Sequence, residues 1–86
     1  MIVIKIKPFP ITDSRADFDK ACRDAYDFTL AVFKIDEYGH SNSIDFDRST
    51  DSVHVKFLSY EHAGTAVGHE HVYKFEAWIE REEGSK

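Results

Sequence analysis

Over residues 13–37 the apolar side chains of this chain recur at helical spacing, and no other stretch restricts the fold as much. Phe18, Ala21, Cys22, Ala25, Phe28, Thr29, Val32, Phe33 and Ile35 fall on one side of a helical projection. Asp19, Lys20, Arg23, Asp24, Asp27, Lys34 and Glu37 fall on the other, and only Leu30 and Ala31 stray. A strand beginning at Phe28 is the rival reading, but Leu30, Ala31, Val32 and Phe33 run together without the alternation of a solvated strand. Pro8 and Pro10 bar helix before Ile11. Thr12, Asp13 and Ser14 each offer an oxygen to the first amides, and Ser14 with Asp17 has the spacing of a capping box. Gly39 supplies a left-handed stop. Such a helix would be about 36 Å long at about 1.5 Å per residue.

The flanking segments read as strands that cover the stripe. Ile2, Ile4 and Ile6 alternate with Val3, Lys5 and Lys7, and the prolines end that strand. Residues 40–43 are a polar turn, 44–47 a short strand, and 47–52 a turn of residues that hydrogen-bond their own backbone. Residues 53–60 alternate, 61–68 read as a loop around Gly64 and Gly68, and 69–80 form a long strand. Its His71, Tyr73, Phe75, Ala77 and Ile79 share one face. Residues 81–86 should fray. The expected fold is α+β: a two-layer sandwich of order β-α-β-β-β, with one long helix on a four-stranded, mainly antiparallel sheet. The last three strands would form a meander, and the first would join at an edge or beside the final strand. The helix would overhang its strands. Trp78, with Val72 and Leu58, would mark the second sheet face.

Eighty-six residues make one domain, 1–86, with a marginal core, so its twelve aromatic residues should be in use. One cysteine excludes a disulfide framework and a thiolate-rich zinc site, and Cys22 on the apolar face reads as a buried, inert thiol. No apolar run approaches the ~20 residues that span a bilayer, so a cytoplasmic location without membrane association is expected. A formal charge of −5 argues against direct binding of nucleic acid and favours a basic partner.

Catalytic patterns are missing. There is no Gly-x-Ser-x-Gly elbow and no P-loop, and a calcium loop counted from Asp45 would place Thr50 and Lys56 where Gly and Glu are needed. His69 and His71 point to one face of a strand, and with His62 they are the candidates for a metal site. A His-x-His step is common, no His-Glu-x-x-His accompanies it, and no metal or other cofactor is expected. Carboxylates offer more. Asp17, Asp24, Asp27, Asp36 and Glu37 lie on or near the outer helix arc, and Asp45, Asp47 and Asp51 cluster at the following turn. Spaced along a rigid element they present negative charge somewhat as a phosphate backbone does. Lys20, Arg23 and Lys34 dilute the row.

The expected function is therefore a small acidic, non-enzymatic binding protein, an inhibitor or nucleic-acid mimic whose partner is a basic protein such as a nucleic-acid-binding protein or nuclease. Size, acidity and lack of catalytic motifs are shared with small phage-encoded inhibitors and toxin-immunity proteins, a likeness of composition alone. The alternatives are a homodimeric or larger structural module joined through the Trp78 face, and a small metalloprotein built on His69 and His71.

Overall fold

A computed structural model describes residues 1–65 and 68–83. The described residues form one helix and three strands: β1 (Ile2–Asp13), α1 (Phe18–Phe33), β2 (Asp51–Thr65) and β3 (Gly68–Arg81). The sheet is antiparallel with order β1-β3-β2, so the final strand is central and pairs with both others. The fold is α+β, with the helix laid on one face of the sheet. The expected four-stranded sheet of order β-α-β-β-β is not formed.

The missing strand is the short one at residues 44–47. Local side chains take the backbone donors a strand would need. Ser41 Oγ accepts from the N–H groups of Ser43 and Ile44, and donates to the carbonyl of Phe33. The Asp47 carboxylate accepts the N–H and hydroxyl of Ser49. Residues 34–50 thus form a hydrogen-bonded cover at the end of α1. The prolines do not end β1 either. The pairing register shifts between Ile6 and Phe9, which absorbs Pro8, and Pro10 lies opposite Lys74. β1 is an edge strand, where a missing N–H is tolerated. Residues 61–65, expected as loop, continue β2 through the pairs His62–His71 and Gly64–His69. Arg81 is anchored where fraying was expected: its N–H donates to the Met1 carbonyl and its guanidinium closes on Asp51. Residues 84–86 of that predicted tail lie outside the described residues.

α1 is shorter at both ends than the helix expected over residues 13–37. Asp17 is the N-cap, its carboxylate accepting from the Lys20 N–H at 3.0 Å. The helix stops at Lys34, which is left-handed (φ 56°), and not at Gly39. Lys34 N–H donates to Ala31 O and Ile35 N–H to Leu30 O, the paired bonds of a Schellman ending. Gly39 (φ 80°) instead closes the turn from Asp36.

The buried helix side is narrow: Ala21, Ala25, Thr29 and Phe33. The two alanines let the helix axis approach the sheet, where Phe9, Tyr73, Phe75 and Ala77 complete the core. Phe18 lies edge-on to Phe57 at 5.2 Å, and Phe28 packs on Phe9 at 4.7 Å, so both rings are half-exposed flanks of this contact. At about 1.5 Å per residue α1 spans about 24 Å, whereas β2 at about 3.3 Å per residue spans about 50 Å. The expected overhang is inverted. The sheet, not the helix, projects, and the molecule measures 57 × 22 × 19 Å.

Candidate functional site

The carboxylates named from the sequence divide into two groups. Several are engaged by the fold itself. Asp17 caps α1. Asp24 holds the Lys20 ammonium at 2.9 Å, and Asp13 holds the same ammonium at 3.2 Å. Asp36 accepts the N–H groups of Tyr38 and His40, both at 2.9 Å. Asp47 closes its own turn onto Ser49. Asp51 is buried, receives the Arg81 Nε–H at 2.8 Å and Nη2–H at 2.9 Å, and also accepts from the Asp47 N–H and the Thr50 hydroxyl. By contrast, the side chains of Asp19, Asp27, Glu37 and Asp45 have no hydrogen-bond or ion-pair partner among the described residues.

The His40 and Tyr38 N–H groups hold Asp36 below the usual carboxylate range, and the Ser49 hydroxyl and N–H do the same for Asp47. The Arg81 guanidinium holds Asp51 far below it. Burial, assisted by the negative charge of Asp19, pushes the Cys22 thiol up, away from the thiolate needed for nucleophilic chemistry.

Trp78 lies on the sheet face opposite α1, and that face is furnished by its own neighbours. The His54 ring stacks on the indole at 5.6 Å and 7°, the indole N–H donates to Glu80 at 3.0 Å, and the Lys5 ammonium lies 6.0 Å from the ring centre. Lys5 also pairs with Glu76. Leu58 sits at the register shift between Phe57 and Ser59, displaced from the regular alternation.

The three histidines considered for metal are brought together. His62 and His71 are cross-strand partners with rings 4.4 Å apart and nearly parallel, and His62 Nε2 lies 3.1 Å from His69 Nδ1. Tyr60 extends the row: its hydroxyl meets His71 Nδ1 at 2.6 Å and its ring packs on Tyr73 at 4.9 Å. In this arrangement the imidazoles bond to one another and to the phenol. Among the described residues no group of three or more His, Cys, Asp or Glu converges to hold a metal ion. Sequence reading found His69 and His71 through their two-residue step. It missed Tyr60, because the bulge at Leu58 shifts the phase of β2 and puts Phe57 and Tyr60 on the same face.

Between α1 and the 34–50 cover lies a groove of about 410 Å³ walled by Tyr26, Leu30, Ile35, Phe46 and Val53. No described helix is long and apolar enough to cross a membrane. The chain matches no protein-family model, no curated protein and no solved structure.

Proposed function

We propose that this chain is a non-enzymatic binding protein that engages a basic protein surface through the outer arc of α1 and the turn following it. The observation that carries the reading is the engagement of Lys20. This cation stands in the middle of the acidic arc, and it is held between Asp13 and Asp24. Its dilution of the row is thereby cancelled, while Asp19, Asp27 and Glu37 are left without partners among the described residues. Other cations are engaged by the fold, although Arg23 and Lys34 have no side-chain hydrogen-bond or ion-pair partner among the described residues. Arg81 is held by Asp51, Lys5 by Glu76, and Arg48 donates to the Tyr38 carbonyl. Asp19 and Asp27 are separated by about 12 Å along the helix at about 1.5 Å per residue, a rigid spacing that a cationic groove could match. Asp36, Asp45 and Asp47 add to the field beyond the helix end. The partner class that fits is a basic nucleic-acid-binding protein or nuclease, reached by electrostatic steering.

The test is capture from a lysate at low and high salt, followed by affinity measurement against the purified, identified partner. Asp19→Asn, Asp27→Asn and Glu37→Gln together should weaken binding by about tenfold or more, mostly through association rate, and added salt should weaken the parent chain. Binding indifferent both to salt and to the three substitutions would overturn the reading.

A further inference from the structure

We propose that the projecting end of the β2–β3 hairpin is a homodimerisation surface, on which two copies pack their Tyr60, His71, His62 and His69 rows face to face.

The cover over the helix-side face of the sheet ends abruptly. α1 begins at Phe18, which rests on Phe57 and Tyr73, and β1 ends with Asp13 opposite His71. Beyond that point the hairpin is a two-stranded ribbon bare on both faces, a form that is marginal in water without something packed on it. Tyr60, His62 and His69 are exposed there. The chain as a whole exposes 6085 Å², whereas a folded monomer of its mass exposes about 5,200 Å². This whole-chain excess, roughly 900 Å², is large enough to include the ~800 Å² that each member of a standard interface contributes.

The chemistry of the row favours a second copy over an unlike protein. Bonds within the row engage His71 Nδ1, His62 Nε2 and His69 Nδ1, and the second nitrogen of each ring is left to donate or accept across a two-fold axis, so the patch is complementary to itself. Strand alternation sends Glu61 and Glu70 to the other face, leaving the row without a carboxylate or ammonium of its own. Its charged neighbours stand at the border: Asp13 on β1, held by Lys20 and the Arg15 N–H, and Asp17 at the start of α1, engaged as its cap. The acidic arc of α1, in contrast, repels its own image.

Sedimentation equilibrium of the full chain, with and without EDTA, tests the proposal. The expected result is twice the 9.9 kDa chain mass, unaffected by EDTA. His62→Ala with His71→Ala should weaken the dimer by about tenfold or more. Replacing His62, His69 and His71 by Gln, which also donates and accepts, should retain it. These positions lie outside the buried core, and circular dichroism checks that each variant is folded. A monomer, or a dimer indifferent to the alanine substitutions, would overturn the proposal. A dimer abolished by EDTA would replace direct pairing with a bridging metal ion.

Discussion

At the start of β2 the Asp51 carboxylate is enclosed by the Arg81 guanidinium, the Asp47 N–H and the Thr50 hydroxyl. The guanidinium is the largest cause of its lowered pKa, so the folded value lies well below the ordinary 3.8. For a carboxylate depressed in this way, the stabilisation is fully present above the unfolded pKa, near pH 4, and is lost as pH falls through the folded value. Asp13, Asp36, Asp47, Glu76 and Glu80 are lowered in the same direction. Stability should therefore hold through neutral pH and fall below about pH 4. Asp51→Asn should lower the Tm by roughly 5–10 °C at pH 7 and flatten the acid limb, both read by thermal unfolding across a pH series. From the sequence Asp51 is one more acidic residue in a polar turn. Its partner lies thirty positions away and is chosen by the register of β2 against β3, which no local pattern specifies. The backbone bonds of Asp36 and Asp47 were legible in kind, since such residues bond their own turns. Which carboxylates would remain without partners was not.

At the scale of elements, alternation in the last strand was a faithful guide: Tyr73, Phe75, Ala77 and Ile79 are buried on one face. Periodicity in α1 gave the right axis and too wide a face. The described residues form three strands, and a helix seated through Ala21 and Ala25 leaves Phe18, Phe28 and Val32 half-exposed on its flanks. The C-terminal boundary misled for a physical reason. Gly39 was the obvious stop, but the Schellman ending is fixed earlier, and Leu30 and Ile35, the pair flanking its long hydrogen bond, both wall the groove beside the 34–50 cover. Leu30 strays from the apolar stripe because it serves that contact. Lys34 holds a left-handed conformation that favours glycine. Lys34→Gly should accordingly stabilise the fold by about 0.5–1 kcal/mol in urea unfolding, whereas Ala25→Leu, which forces a larger side chain under the helix, should destabilise it by about 1–3 kcal/mol.

For the whole molecule, the Cα radius of gyration is 15.3 Å, against about 12 Å for a compact chain of this length. The difference is the hairpin arm, which sequence reading placed in a loop because Gly64 and Gly68 punctuate it. Strand pairing continues through both glycines, Gly68 taking a φ of 151°. Small-angle scattering of the His62→Ala, His69→Ala, His71→Ala chain should give a longest dimension near 57 Å; a value near that of a compact sphere would show the arm folded back. One further consequence follows from the strand order β1-β3-β2. Both outer strands hydrogen-bond only to the strand that leaves the ribosome after them. Until residue 81 has emerged, β1 and β2 have no template, and α1 has no sheet on which to lay its alanines. Phe9, the buried apolar residue of β1, therefore waits uncovered through much of the synthesis of the domain. A chain that ends before β3 therefore has no central strand against which β1 and β2 can pair.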